Sequence, residues 1–570
     1  MSTAIAILGG VGLFLLGMTV MTDGLKAMAG SALRGVLSRA AATPLSGAFW
    51  GAIVTLLVQS SSAVTMTTIG LVSAGLLTFP QGLGLVFGAN VGTTGTGWLI
   101  ALIGLRVSLT AYALPMIFIG ALTKLLASGR TAAAGGALAG FALVLYGLTT
   151  LQQGMGGLSE SLHPSDLPAV LGVPGVGLAS GLVGLASLIV LGLAMTAVMQ
   201  SSTAAIAVTI AAFAAGAVSL EQGAALIIGQ NIGTATSSAL AAIGASATAK
   251  RLALAYVLFK VIAALIAIVA FPFTAALMNR FSASVDGTTL LAAYHTAYNV
   301  VGVAVLLPAT QWFTRVVERL LPSKETPLER ALDPNALANP VIAIEAARRV
   351  GAHVLDTTAA TVRAALSRAG GGMVEQAETA AAELGKVRDF LSALGERPET
   401  EAEQFRLTST LHALDHATRL VNVLAGGGLP PLSSAPASVR RASALCDNAM
   451  KAVQTVCGSI TAESAFSEQA ASIGWSVAPK VGAALAEAQG ASNELEAFQR
   501  EHRAATLRSV APGTLTAADA LAQIDAVRQL DRIVHHAWRS AAHLLGRGGR
   551  DDLDRRLQSE SPERVAGGSE

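Results

Sequence analysis

Charge is scarce in this sequence. Only 13% of its 570 residues are Asp, Glu, Lys or Arg, against about 25% in an ordinary soluble domain, and 52% are hydrophobic. That shortfall excludes a single soluble globule. Cysteine is nearly absent too. Cys446 and Cys457 would stand about 16 Å apart on one helix, too far for a disulfide, and read as buried thiols in a reducing compartment. No Lys or Arg precedes the apolar run at residues 5–20, so that run lacks the basic leader of a cleaved signal and reads as a retained membrane helix.

What charge there is lies unevenly. Residues 1–320 hold 12 Lys/Arg and 6 Asp/Glu, while residues 321–570 hold 26 and 30. The first part suits lipid and the second suits water, so the overall +2 averages two unlike halves and does not point to nucleic acid as a partner. The pattern predicts a transmembrane domain over 1–320, a proline-rich linker over 321–339, a soluble helical domain over 340–550 and a disordered charged tail over 551–570.

About 20 apolar residues cross a bilayer as a helix, and full spans are expected near 3–22, 82–104, 108–127, 132–152, 223–245, 252–275 and 289–313. Two more apolar stretches, 46–77 and 177–218, are each interrupted by a polar cluster: Gln59-Ser60-Ser61-Ser62 and Gln200-Ser201-Ser202-Thr203. Each is long enough for two half-helices and short for two spans, so both are expected to be re-entrant hairpins. With the N-terminus outside, Lys26, Arg34, Arg39, Arg130, Lys250, Arg251, Arg315 and Arg319 fall on the inner side, as basic residues prefer. The same orientation places residues 321–570 in the cytoplasm.

The polar clusters belong to a duplication. An offset of 141 residues maps Gly51 to Gly192, Thr55 to Thr196, Gln81 to Gln222, Gly88 to Gly229, Asn90 to Asn231, Gly92 to Gly233 and Thr93 to Thr234, and residues 59–98 match residues 200–239 at 15 of 40 positions without a gap. A looser offset of 130 pairs Gly10, Gly17 and Gly24 with Gly140, Gly147 and Gly154. The repeats therefore cover about 5–127 and 132–275, with 289–313 as a last span. Three spans between the hairpins would invert the second copy, and inverted repeats with broken helices at a central site are a common plan for secondary transporters. A channel can use inverted repeats as well.

The chemistry of the clusters agrees. A hairpin tip exposes the N–H groups and positive dipole end of its second half-helix, which attract an anion. Serine and threonine hydroxyls add donors, or ligate a hard cation such as sodium through oxygen. The bland account, that membrane serines bond their own backbone or let helices pack closely, suits lone serines better than duplicated clusters. For Gly88, Gly92, Gly229 and Gly233, close packing and an unwound turn beside the site both remain open.

At these residues the sequence resembles the sodium-phosphate cotransporter family, the type II group and its bacterial relatives. The resemblance covers most of residues 5–320, including Gly88-Ala89-Asn90-Val91-Gly92-Thr93-Thr94, Gly229-Gln230-Asn231-Ile232-Gly233-Thr234, Phe14-Leu15-Leu16-Gly17-Met18 and His295-Thr296-Ala297-Tyr298-Asn299. It implies sodium-coupled movement of inorganic phosphate across the inner membrane by alternating access, with sodium as coupling ion, no further cofactor and no enzymatic activity. By motif position Gln59, Ser60, Ser61, Ser62, Gln200, Ser201, Ser202 and Thr203 would line the site, with Asn90, Thr93, Asn231 and Thr234 as neighbours. Phe259-Lys260 departs from the family, where relatives often carry Asn after the aromatic residue. Lys260 either binds phosphate or replaces a cation, or it snorkels to the interface. His295 either titrates in the membrane or is structural.

The second half reads as Ala-rich amphipathic helices at 341–368, 373–394, 402–425, 436–460, 464–502 and 517–545, in two sets of three. It resembles a PhoU-like domain through Leu414-Asp415-His416 and Leu530-Asp531-Arg532-Ile533. The acidic residues that the family uses for metal four positions later are here Arg419 and His535, which puts metal binding in doubt, although His412, His416, His535 and His536 offer other ligands. Regulation fits this half better than catalysis, and a homodimer or a cytoplasmic regulatory partner is compatible with it. The predicted fold is all-α: a polytopic membrane protein with inverted repeats and two re-entrant hairpins, followed by a soluble helical bundle. The rival functions are a phosphate-sensing membrane regulator without net transport and a carrier of another oxyanion.

Overall fold

The structure, a computed structural model, describes residues 3–40, 42–104, 110–160, 162–173, 175–243, 245–322, 327–367, 372–395, 398, 400–426, 435–462, 475 and 477–548. The tail at 551–570 lies outside the described residues. All regular structure among the described residues is helical. The chain divides into two compact units, one of residues 1–72 and 77–325, the other of residues 73–76 and 326–570.

In the first unit the helices run in the order α1 (Thr3–Ala40), α2 (Pro44–Val58), α3 (Ser61–Ser73), α4 (Phe79–Thr93), α5 (Gly95–Leu99), a π-helical turn (Ile100–Gly104), α6 (Thr110–Leu126) and α7 (Gly129–Ser159). There follow α8 (Leu178–Met199), α9 (Ser202–Ala214), α10 (Leu220–Gly233), α11 (Ala235–Ala241), α12 (Ala247–Phe281), α13 (Gly287–Leu306) and α14 (Thr310–Leu320). By length and composition 6 of these segments can cross a membrane: Thr3–Ala29, Phe79–Leu102, Gly129–Ser159, Leu178–Met199, Ala247–Phe281 and Gly287–Leu306.

Four expectations are corrected by this order. The span expected at 223–245 is two helices, because α10 stops at Gly233 and α11 starts afresh after Thr234. The span at 108–127 is a 17-residue helix, and its first two residues lie outside the described ones. The span at 289–313 ends at Leu306, and the following α14 is strongly amphipathic. The stretch 177–218 does break at its polar cluster, yet its first limb, α8, is a full 22 residues. In the first copy a start signal shortens the matching limb: Thr43 caps α2 through a reciprocal pair with Ser46, and Pro44 occupies the first turn. The offset puts Gly184 and Leu185 at those positions, and helix continues through them.

The duplication is visible in the packing. α2 lies on α4, and α8 lies on α10, through glycines that leave no room for a side chain. A Cβ on Gly88 would come 1.8 Å from the Ala48 carbonyl oxygen, and one on Gly229 would come 1.9 Å from that of Ile189, the residue related to Ala48 by the same offset. A Cβ on Gly51 or on Gly192 would stand 2.2 Å from the carbonyl oxygen of Leu85 or Leu226. Close approach, and not an unwound turn, is thus the role of these glycines, as expected where helices in lipid associate by van der Waals contact. The Gln81 and Gln222 pair is structural too: each side-chain oxygen accepts from the backbone N–H of its helix's cap residue, Thr78 or Ser219, at 2.8 Å. α1 and α7, the copies related at offset 130, pack antiparallel along their glycines, Gly10 against Leu151, Gly17 against Val144 and Gly24 against Ala137.

The second unit contains α15 (Pro327–Ala331), α16 (Pro340–Ser367), α17 (Met373–Ser392), α18 (Glu401–Ala425), α19 (Ala437–Ala462), α20 (Pro479–Val510) and α21 (Ala517–Leu544). The helix expected at 464–502 is displaced to Pro479–Val510, and much of 464–478 lies outside the described residues. α16 packs on α17, α18, α19 and α21, so the two sets of three share one core. That core closes over Arg348, fully buried, which donates to the Leu544 carbonyl at 2.7 Å, pairs with Glu345 at 2.8 Å and lies 4.5 Å from the Trp475 ring centroid. Burial alone would raise the Glu345 pKa, but Arg348 and Arg349 hold it below the usual carboxylate range. Cys446 and Cys457 are free and buried on α19, and burial pushes both thiols up.

Candidate functional site

The break in each apolar stretch is a single left-handed residue. Gln59 has φ 58° and ψ 29°, Gln200 has φ 51° and ψ 22°, and they are the two non-glycine residues with positive φ among the described ones. An L-residue pays about 1–2 kcal/mol for that conformation, so the surroundings must enforce it. Each side-chain amide turns back on the helix it ends: Gln59 Nε2 donates to the Leu56 carbonyl and Gln200 Nε2 to the Ala197 carbonyl. Each Oε1 accepts a hydroxyl, from Thr96 in the first copy and from Ser237 at 2.9 Å in the second. Thr96 and Ser237 are themselves related by 141 residues.

A new helix starts at once. Ser60 Oγ accepts from the Ala63 N–H and Ser201 Oγ from the Ala204 N–H, both at 3.2 Å. The first-turn amides of α3 and α9 have no acceptor within their own helix, and the dipole makes both tips positive.

The two tips meet in one cavity of about 400 Å³. Gln59, Ser60, Ser61 and Ser62 line it from the first copy, and Gln200, Ser201, Ser202 and Thr203 from the second. Thr93, the last residue of α4, and Thr234, where α10 stops, line it as well. Asn90 and Asn231 do not. They are 3% and 2% exposed and hold the wall from behind: the Tyr256 hydroxyl donates to Asn90 Oδ1 at 3.0 Å and lies 3.5 Å from Thr234 Oγ1, while Lys260 Nζ donates to Asn231 Oδ1 at 3.0 Å.

Sequence reasoning missed about half of the wall. Thr19, Thr22, Asp23 and Lys26 of α1 line the cavity, as do Tyr256 and Ser238. The hint was there, because polar residues at 19, 22, 23 and 26 share one helical face. Asp23 and Lys26 form an exposed ion pair at 3.7 Å, so the lining carries no net charge. Hydroxyls, amides and helix N-termini remain, a donor-rich set that suits an anion and whose oxygens also suit a small hard cation. The volume falls in the range of small-molecule sites and exceeds what one small oxyanion fills, leaving room for accompanying ions or water.

Lys260 does not snorkel. It is 2% exposed, with its ammonium 5.5 Å from the centroid of the Tyr256 ring. His295 is buried on α13, and its Nδ1 has no hydrogen-bond partner.

In the second unit, the histidines considered as ligands pack on one another between α18 and α21. His416 Nδ1 lies 3.2 Å from His536 Nδ1, and His412 stacks on His543 with centroids 5.1 Å apart. Burial, then repulsion from His536, lowers His416 to about 3, and burial, then repulsion from His535, lowers His536 to about 4. Asp415 is paired with Arg419 at 2.9 Å. Among the described residues no group of three or more His, Cys, Asp or Glu side chains is placed to hold a metal ion.

The profile of the Na+/Pi-cotransporter family matches residues 13–153 and 184–292, which include both tips, α4, α10 and Lys260. YqeW of Bacillus subtilis strain 168, whose name states no activity, is 28% identical over 314 residues, 55% of this chain and 96% of its own length. YjbB of Salmonella typhimurium strain LT2, provisionally named an inorganic phosphate export protein, is 30% identical over 358 residues, 61% of this chain. That match spans 62% of YjbB, less than two thirds of it. The human sodium-dependent phosphate transport protein 2B is 44% identical over a short stretch of 59 residues, 10% of this chain and 9% of its own. No solved structure matches the chain. Over residues 13–153 and 184–292 the chain is thus similar to the Na+/Pi-cotransporter family, a family of transporters and not of enzymes.

Proposed function

We propose that this chain carries inorganic phosphate across a bacterial inner membrane, coupled to sodium, with phosphate and sodium held in the cavity where the two broken helices meet. The single observation behind this is the convergence of two left-handed glutamines, each followed by a hydroxyl-rich helix N-terminus, on one cavity. Backbone amides, hydroxyls and two positive helix ends make a site for an oxyanion that needs no full charge from the lining, and the hydroxyl and amide oxygens give sodium its ligands. The names of the relatives support phosphate as cargo, and the name of YjbB favours export. The direction follows from the gradients.

In this reading the pairs α2–α3 and α8–α9 are the re-entrant hairpins of an inverted repeat, α8 being the longer limb, and rocking or gating exposes the site between them alternately to either side. The N-terminus is outside and the second unit, a PhoU-like regulatory domain, is cytoplasmic, because most of the basic residues then lie on the inner side, with Arg106 and Arg280 in outer loops. Radiolabelled phosphate flux into liposomes holding the purified chain, with and without a sodium gradient, tests the reading. Sodium-dependent flux is expected for the wild type, with a loss of tenfold or more in Gln59→Ala and in Gln200→Ala. Flux unchanged in both variants would remove the cavity as the site, and phosphate binding without flux would make the chain a sensor.

A further inference from the structure

Among the described residues, Lys260 has no acidic partner. Its ammonium is buried, and its partners, the Asn231 side-chain oxygen and the Tyr256 ring, are both neutral. Residues 1–320 contain six acidic side chains, and all are placed elsewhere. Asp23 pairs with Lys26, Asp166 accepts from the His163 N–H, Glu221 accepts from Ser219 and Asn279, and Asp286 caps α13. Glu160 and Glu318 are exposed. The nearby titratable group on α13 is His295, which supplies no negative charge. An ionisable side chain inside a membrane segment is costly unless something opposite compensates it, and it is a functional candidate for that reason.

The compensating group has a place to sit. Lys260 stands one side chain behind the cavity wall: the Tyr256 ring beneath it lines the cavity, and the backbone oxygen of its partner Asn231 accepts from Thr234, which also lines it. At the related position in the first copy, Asn90 meets a neutral phenol. Behind the wall, the second copy's asparagine therefore meets an amine where the first copy's meets a phenol.

We propose that the Lys260 ammonium is a fixed counter-charge for the anion in the cavity and does the work of one mobile cation. The inference rests on the phosphate reading above and deepens it: the chain needs one sodium ion fewer than an equivalent carrier with a neutral residue at 260. A charge held in place by the fold compensates an anion without being recruited from solution, so part of the phosphate affinity survives without sodium.

Equilibrium binding of radiolabelled phosphate to the purified full-length chain, at graded sodium with choline as replacement, decides the matter. The wild type is expected to bind phosphate in choline within about tenfold of its affinity in saturating sodium. Lys260→Gln is expected to lose choline binding by a further tenfold or more and to recover it in sodium with a dependence steeper by one ion. Lys260→Arg, which keeps the charge, is expected to retain choline binding. A wild type that binds only in sodium overturns the proposal whether or not the Gln variant folds, and so does a Gln variant with the wild-type sodium slope. No phosphate binding in sodium or in choline would instead defeat the phosphate reading itself, and this inference with it.

Discussion

The two copies of the repeat agree in their backbones and part company in their partners. Both end a helix on a left-handed glutamine, restart it on a serine, and seat a glycine against a carbonyl oxygen at matching positions. Behind the cavity, however, Asn90 receives the Tyr256 hydroxyl and Asn231 receives the Lys260 ammonium. The reason is topological. Tyr256 and Lys260 sit one turn apart on α12, a helix that reaches the asparagines of both copies. Duplication kept the backbone pattern twice, and one helix of the second copy gives each asparagine a different partner.

The largest effect should come from the glycines. Gly88→Val and Gly229→Val each drive a side chain into a carbonyl oxygen less than 2 Å away, and overpacking of this kind costs about 3 kcal/mol or more where the backbone cannot yield. Both variants should lose the folded protein in thermal unfolding or detergent gel filtration. Loss in one alone would show that the copies differ in rigidity and not only in charge.

Gln59→Gly and Gln200→Gly separate conformation from chemistry. Glycine accepts the left-handed backbone freely, so stability should stay within about 1 kcal/mol of wild type, while phosphate flux falls tenfold or more with the amide gone. Flux that survives in one variant would assign the ligand to the other copy. The smallest effect belongs to the hydroxyls that orient the amides. Thr96→Val and Ser237→Ala each remove one hydrogen bond worth about 1 kcal/mol, so phosphate affinity should fall about fivefold in both, and unequal losses would rank the two tips.

Much of this arrangement could be read from residues alone, and the failures have physical causes. The clusters at Gln59 and Gln200 were legible because polar residues repeated in register inside apolar stretches have no packing explanation. The left-handed glutamines themselves were not, since nothing local favours that backbone in glutamine. Hydropathy also missed the stop of α10 at Gly233, because apolar residues resume after the break at Ala235, Ala239, Leu240 and Ala241. Thr19, Thr22, Asp23 and Lys26 escaped notice as the tail of an apolar span, and Lys260 was given a surface alternative because its depth depends on how α12 packs against α10. Composition marked the second half as helical, but it could not show that α16 ties the two sets of helices into one core.

The glycine contacts between α1 and α7 work as a keyed joint. Gly10, Gly17 and Gly24 recur every seven residues, as do Gly140, Gly147 and Gly154, and each sits against the opposite backbone. Sliding one helix by a single turn would bring side chains where only hydrogen fits, and the next matching register is about 10 Å away at 1.5 Å per residue. The pair is locked against translation, so whatever part of this molecule rocks, α1 and α7 travel as one rod, and the α1 wall of the cavity rides with them.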